Sequence, residues 1–229
     1  VPVIDAIVPA RNEAATVADV VRACRACRYV RRVIVVDDGS VDGTAERARD
    51  AGADIVVGRA PGEGGSKAHA MEAGVTASDA DAFLFVDADC IGLTGGHLDE
   101  ICRPFVEGRA VMSVGWFDYG IWNRLVNYLA PTTGERVIPR WVWEAIPPEK
   151  LDGYTIELRI NEVVAEARLP TVSRTMRGVT HRTKRDKYGT VRGAVETVRM
   201  FWQLARLPLR GAVRLRTYAF YLQGLTVER

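Results

Sequence analysis

The chain has 229 residues, 48% hydrophobic and 26% charged, with a formal net charge of +2. That length suits one large domain, and the balance is ordinary for a globular protein with a substantial core, which excludes a disordered or low-complexity chain. No apolar stretch approaches the roughly 18–20 uninterrupted residues of a spanning helix, and the opening "VPVIDAIVPARNE" lacks the basic-then-apolar pattern of a secretory leader, so none is expected.

The first half alternates two periodicities. "VIDAIVPA" is a short apolar strand, and "EAATVADVVRACRAC" spaces its apolar residues as a helix does. "VRRVIVVDDGS" reads as a strand running into a turn. "SVDGTAERARDAG" follows as a helix, with Ser40 or Asp42 as its expected cap and Gly52 as its stop. "ADIVVG", "GSKAHAMEAGVTAS" and "DAFLFVDADC" continue as strand, helix and strand. Strands separated by such helices imply parallel βαβ units with right-handed crossovers. The polar loops after the strands then share the carboxyl edge of the sheet, where open α/β sheets bind ligands.

Cys24, Cys27, Cys90 and Cys102 include one Cys-x-x-Cys within an arginine-rich helical pattern. Without a second pair at zinc-ligand spacing, the four are read as reduced thiols of a cytoplasmic protein.

The second half is less regular. "AVMSVGWFDYG" reads as a strand, "IWNRLVNYLAP" as a helix, "DGYTIELRINEVVAEA" as a turn and then a helix, and "LPTVSRTMRGVTHR" as extended. "TVRGAVETVRMFWQLARL" is an amphipathic helix. From Arg174 onward there are 13 Lys/Arg against three Asp/Glu, so the net charge conceals an acidic body and a basic tail. Such a tail suits phosphates, nucleic acid or a membrane surface, or is simply a solvated helix.

"FLFVDADC" ends four large apolar residues on two acids, Asp87 and Asp89. Close carboxylates repel unless a cation lies between them. Oxygen ligands with open positions suit Mg²⁺ or Mn²⁺ holding a substrate phosphate.

"VPARNEAATVADVV", "VIVVDDGSVDGTAERA" and "FLFVDAD", in this order, resemble the family-2 type of nucleotide-sugar glycosyltransferases over about residues 1–95. The resemblance implies a single-domain, Rossmann-like glycosyltransferase A fold with a mostly parallel sheet, a sugar nucleotide and a divalent metal. It places Pro9, Arg11 and Glu13 around uracil and ribose, Asp37 or Asp38 near the base, and Gly39 and Ser40 in the turn. Asp87 and Ala88 would contact ribose or diphosphate, with Asp89 the main metal ligand and Asp87 beside it. The family's Gly-Lys-Gly element stands here as Ser66-Lys67-Ala68, so Lys67 is expected on the diphosphate. The lost glycines narrow the backbone's approach to it. His69 is expected to be structural or exposed.

"TTGERVIPRWVWEAIP", "DGYTIELRINEVV" and the histidine of "GVTHRTKRDKYG" are similar in order to glucosyl-3-phosphoglycerate synthases. That similarity implies His181 as a further metal ligand, and Tyr154 and Glu157 against the transferred sugar. A glutamate in a first helical turn is also what the helix dipole favours. Gly134, Glu135 and Arg136 are expected to flank the sugar or acceptor, Arg136 offering a fork for a phosphate or carboxylate. The phosphoglycerate-binding members carry a Gly-Gly-Gly-Arg-Val-Thr type of segment. "AVMSVGWFDYGIWNRL", in the comparable stretch, lacks a basic cluster, so that acceptor is not carried over. Trp116, Phe117, Tyr119 and Trp122 either line an acceptor pocket or belong to the core.

The expectation is a transferase body over 1–182, with a nucleotide-sugar half (1–95) and an acceptor half (96–182), and a basic helical extension over 183–229. It moves a hexosyl group from a nucleotide diphosphate sugar, UDP-linked by expectation, to an unidentified acceptor. Mg²⁺ or Mn²⁺ assists, with Asp89, Lys67 and Glu157 as the catalytic set. Retention is favoured, because the base that inversion needs has only Asp152 or Glu157 as candidates. The alternative is a polyprenyl-phosphate transferase held at a membrane surface by the tail. A sugar-1-phosphate nucleotidyltransferase and a non-enzymatic binding module rank below it. A homodimer and a peripheral membrane contact are compatible with the chain, whereas no nucleic-acid module is recognised.

Overall fold

The computed structural model describes residues 1–118, 120, 133–150, 156–181 and 215–228. An eight-stranded sheet runs through it in the order β3-β2-β1-β4-β7-β6-β8-β10. Its first strands are β1 (Ile4–Ala10), β2 (Val30–Asp37), β3 (Ile55–Gly58) and β4 (Ala82–Phe85), joined by α1 (Val17–Ala26), α2 (Thr44–Asp50) and α3 (Lys67–Thr76). Each neighbouring pair among these strands is parallel, as the βαβ pattern requires. β5 (Cys90–Ile91) and α4 (Gly95–Val106) lead to β6 (Met112–Trp116). After them come β7 (Arg136–Pro139), α5 (Arg140–Glu144), α6 (Ile156–Glu166), β8 (Thr171–Thr175), β9 (Thr180–His181), α7 (Leu215–Gly224) and β10 (Leu225–Glu228). β7 runs antiparallel between β4 and β6, and β5 pairs antiparallel with β9 in a separate ribbon.

The strands are apolar on both faces because helices cover both. Val8, Val33, Val35 and Leu84 pack against Val17, Val20 and Val21 of α1 and Leu98 and Ile101 of α4. On the other face, Ile7, Phe83, Phe85 and Val114 meet Met71 and Val75 of α3, Val142 of α5 and Ile160 and Val164 of α6. One acid interrupts β1. Asp5 is fully buried, and its carboxylate accepts from Arg31 Nε (3.0 Å), Arg32 Nη2 (2.9 Å) and Ser78 Oγ (2.7 Å).

Two expectations need correction. Neither Ser40 nor Asp42 is the cap residue of α2. Gly43 occupies that position in a left-handed conformation, and Asp42 Oδ1 instead accepts from Thr44 N–H at 3.2 Å. Gly52 does end the helix, its N–H bonding back to Arg49 O and that of Ala53 to Ala48 O. Nor is the end of the chain purely a helical extension. β10 adds in parallel to β8, from Leu225↔Thr171 to Glu228↔Arg174, and Tyr221 of α7 is buried in the same core as α6. The helices expected over "IWNRLVNYLAP" and "TVRGAVETVRMFWQLARL" lie outside the described residues. Among the described residues, no helix is long and apolar enough to cross a membrane.

Candidate active site

Every strand of the main sheet except β7 runs toward one edge, and side chains stitch the loops there together. Beyond β1, Asn12 N–H donates to Ser40 Oγ (2.9 Å), Val41 N–H to Asn12 Oδ1 (3.0 Å) and Glu13 N–H to Thr44 Oγ1 (2.9 Å). Beyond β2, Asp37 Oδ1 accepts from Ser40 N–H at 3.0 Å and so serves its own turn. Asp38 Oδ1 instead accepts from Gly65 N–H at 2.9 Å, with Arg59 Nε 3.5 Å away, and ties down the glycine-rich loop. These backbones nearly touch. A Cβ on Gly64 would lie 2.4 Å from Asp38 O and 2.6 Å from Arg11 Cζ. Pro9, Arg11, Glu13, Asp37, Asp38 and Gly39 therefore lie on one rim, with Arg11 exposed and Glu13, Asp37 and Asp38 buried. Sequence reasoning missed Asn12, which clamps the two loops. Its φ of 57° is a conformation asparagine tolerates better than most residues.

The glycine-rich loop delivers the chain into α3. Ser66 caps that helix, its Oγ accepting from His69 N–H at 3.4 Å and standing 3.0 Å from His69 Nδ1. Where the family pattern has glycine, this chain has a cap, and exposed His69 belongs to it. Lys67 begins the helix. Its Nζ lies 2.5 Å from Asp87 Oδ1 and 2.8 Å from Glu157 Oε1, the latter in the first turn of α6. Burial by itself would depress the Lys67 ammonium, but the two carboxylates outweigh it and hold its pKa above the usual lysine range.

The loop after β4 carries the paired acids. Gly134 lies against Asp87, since a Cβ there would come within 2.3 Å of Asp87 Oδ1. Ala88 is buried, and its carbonyl accepts from Thr16 Oγ1 at 2.7 Å. Asp89 is half-buried and directly precedes Cys90, whose register partner across the ribbon is His181. His181 is exposed, with its ring 4.9 Å from that of Phe117. The ribbon thus sets His181 across from the residue that follows Asp89. Among the described residues no three His, Cys, Asp or Glu side chains form a metal cage, and Asp87 is held by Lys67. A hard ion that keeps its waters and binds substrate phosphates needs only one or two protein carboxylates, so Asp89 with His181 fits such an ion.

Glu135 and Arg136, expected beside the sugar or acceptor, are both fully buried. Arg136 spends its fork internally, on Thr133 O (2.5 and 3.2 Å), Glu157 O (3.1 Å) and Asn161 Oδ1 (2.9 Å), and so fastens β7 to α6. Burial pulls its pKa down. Glu135 Oε1 accepts from Cys90 Sγ (3.2 Å) and Asp87 N–H (3.4 Å), and Oε2 meets Thr133 Oγ1. The Thr133 hydroxyl also donates to Gly115 O at 2.7 Å. One hydroxyl hydrogen cannot serve two acceptors, and a proton on Glu135 resolves the conflict. Burial, and then the charge of Asp87, push the Glu135 pKa up to about 7, against the opposing pull of Thr133, Lys67 and Cys90.

Trp116 and Phe117 are buried. Tyr119, Trp122, Asp152 and Tyr154 lie outside the described residues.

The model of glycosyl transferase family 2 matches residues 5–167. The chain belongs to that family. Glycosyltransferase AglJ of Haloferax volcanii is 44% identical over 66 residues, which are 29% of this chain and 22% of that protein. The 4,4'-diaponeurosporenoate glycosyltransferase of Staphylococcus aureus is 40% identical over 101 residues, 43% of this chain and 27% of that one. The chain therefore spans about a quarter of the length of these curated relatives. Among solved structures, glucosyl-3-phosphoglycerate synthase from Mycobacterium tuberculosis superposes with a TM-score of 0.64 at 23% identity, over 79% of this chain and 72% of that one. This family-2 chain thus has the glycosyltransferase A fold.

Proposed function

We propose that the chain transfers a hexosyl group from a UDP-sugar to an acceptor, assisted by Mg²⁺ or Mn²⁺ held at Asp89 and His181. The observation that carries this reading is the position of Lys67. It places a cation and a helix N-terminus at the carboxyl edge, between the loop of paired acids and Glu157. Backbone N–H groups at such a terminus, with an adjacent ammonium, suit a diphosphate. The rim of Pro9, Arg11, Glu13, Asp37, Asp38 and Gly39 takes the nucleoside, with Ala88 and Asp87 at ribose and diphosphate.

A divalent ion bound at Asp89 and His181 would supply positive charge to the leaving diphosphate. Lys67 adds to it from the other side. As the phosphates draw Lys67 away, Glu157 is freed to hydrogen-bond sugar hydroxyls, and the reading assigns Tyr154 to the same sugar. Retention is the favoured outcome: once the donor is bound, this reading assigns Glu157 to the sugar hydroxyls, which leaves it unavailable as the base that inversion requires. The neighbouring fold lends support, since the Mycobacterium tuberculosis enzyme was crystallised in complex with Mn²⁺, UDP-glucose and phosphoglyceric acid. In this chain Arg136 is engaged by Thr133, Glu157 and Asn161, so the reading does not assign it to an acceptor acid. The reading also assigns 1–182 to the transferase body, and any peripheral contact with anionic lipid to the basic residues of 183–229.

Calorimetric titration of UDP, with GDP as control, tests the proposal in Mn²⁺ and again in EDTA. UDP should bind in Mn²⁺ and weaken about tenfold or more in EDTA, in Asp89→Ala and in His181→Ala. Equal affinity in EDTA would defeat the metal assignment, and the absence of binding to either nucleotide would defeat the donor assignment.

A further inference from the structure

We infer that Glu135 is a positioning residue, a buried clasp that holds both ends of the Asp87–Cys90 loop. The significance of that loop rests on the donor reading above, but the clasp itself is read from geometry. Glu135 is fully buried and immediately precedes β7, the antiparallel strand wedged between β4 and β6. Its own carbonyl accepts from Gly115 N–H at 2.8 Å, so its backbone is fixed to β6. From that fixed point one carboxyl oxygen gathers Asp87 N–H at 3.4 Å and Cys90 Sγ at 3.2 Å, the first and last residues of the loop. The other oxygen is anchored on Thr133 Oγ1, which is itself fixed to Gly115 O at 2.7 Å.

The neighbours close the remaining freedom. Gly134 fits beneath the Asp87 carboxylate, and Thr16 Oγ1 holds Ala88 O at 2.7 Å from the far side. Glu135 thus supports the loop at Asp87 and Cys90, and Thr16 supports it at Ala88. Asp89 lies between Ala88 and Cys90, so these supports bear on its position. The Asp87 carboxylate inherits its alignment to Lys67 in the same way. Removing the Glu135 carboxyl leaves a part-buried N–H and a buried thiol without their shared acceptor, and such groups shift until they find one. A glutamine meets the same need. Its carbonyl accepts from Asp87 and Cys90, and its amide donates to Thr133, whose hydrogen stays on Gly115.

The test uses the full chain and its own buried thiol. The rate of Cys90 alkylation by iodoacetamide, read by peptide mass, reports opening of the loop without any ligand. In Glu135→Ala and in the milder Glu135→Asp, which cannot span both partners, Cys90 should react about tenfold faster through local opening. In Glu135→Gln it should react within about twofold of the unaltered chain. UDP affinity in Mn²⁺ should fall about tenfold in Glu135→Ala and hold in Glu135→Gln. Cys90 as well protected in the Ala and Asp variants as in the unaltered chain would overturn the clasp, and so would a Gln variant as open as Ala. If the unaltered chain binds no UDP, the donor reading falls, and the alkylation rates still decide the clasp.

Discussion

Lys67, the first residue of α3, and Glu157, in the first turn of α6, meet at 2.8 Å across the carboxyl edge of the sheet. A lysine at a helix N-terminus opposes the macrodipole, and a glutamate there complements it. The lysine is therefore in an electrostatically costly place, offset by Glu157 and by Asp87 at 2.5 Å. A dianionic diphosphate would relieve that cost better than either carboxylate, which makes the resting ion pairs a natural stand-in for the donor.

Lys67→Met keeps the side chain's length and removes its charge. Asp87 and Glu157 then face each other without a common cation. UDP affinity should fall about tenfold or more, equivalent to ~1.4 kcal/mol, while uridine, which lacks phosphates, should bind as before. Parallel titrations with the two ligands check this. An equal loss for uridine would mean that the glycine-rich loop had collapsed rather than that a phosphate contact had gone.

Gly134→Ala acts on the same pair from below. The added methyl group would lie 2.3–2.4 Å from the Asp87 carboxylate atoms. Asp87 must move, and its bond to Lys67 goes with it. Metal-dependent UDP binding should weaken about tenfold with little change in the melting temperature, because the displaced carboxylate is part-exposed. Calorimetry and a thermal melt on the same sample separate this from general destabilisation.

The opposite end of β1 sets an acid limit on stability. Burial alone would raise the Asp5 pKa, but hydrogen bonds from Arg31, Arg32 and Ser78 outweigh it and hold the carboxyl below its unfolded value of 3.8. A folded pKa lowered in this way contributes stability that is fully present above about pH 4–5 and is lost as pH falls through the folded value. Asp5→Asn should lower the urea midpoint at pH 7. It should also flatten the fall between pH 5 and pH 3 relative to the unaltered chain, which midpoints measured across that range would reveal. A parallel fall in both proteins would assign the acid limit to other carboxylates.

Much of this was legible in the sequence, and the reason is locality. β1 to β4 and their helices announce themselves through apolar periodicity, and each polar loop directly follows its strand, so the rim from Pro9 to Gly39 could be placed by counting. Lys67, Asp87 and Glu157 are each named by the family resemblance, but their pairing with one another is not, because Glu157 comes from the irregular second half of the chain. What stayed hidden depends on distant segments meeting. Nothing in "TTGERVIP" marks Arg136 as an internal brace, because an arginine with backbone acceptors looks the same in sequence as an arginine in solvent. The support of Asp87 by Gly134 and Glu135 arises from β7 pairing with β4, a register that no local pattern specifies. β10 falls within the expected helical extension because four residues carry too little periodicity to register as a strand.

Two glycines of the second loop make a matched test of what the rim does. Gly39 and Gly43 both hold positive φ, at 75° and 80°, so alanine at either is strained by about 1–2 kcal/mol. Their surroundings differ. A Cβ on Gly43 meets only Glu46 Oε2 at 3.8 Å, an ordinary contact. A Cβ on Gly39 would lie 2.8 Å from Gly64 N and 2.9 Å from Ala60 O, both backbone atoms of the loop that Asp38 ties down. Gly43→Ala should therefore cost stability alone, leaving UDP affinity within about twofold. Gly39→Ala should cost at least as much stability and also push the 60–64 backbone off the rim, weakening UDP about tenfold. Chemical denaturation and calorimetry on the two variants decide the matter. Equal UDP affinities would mean that the loop can retreat without disturbing the nucleotide, and that the rim's shape matters less to binding than its acids.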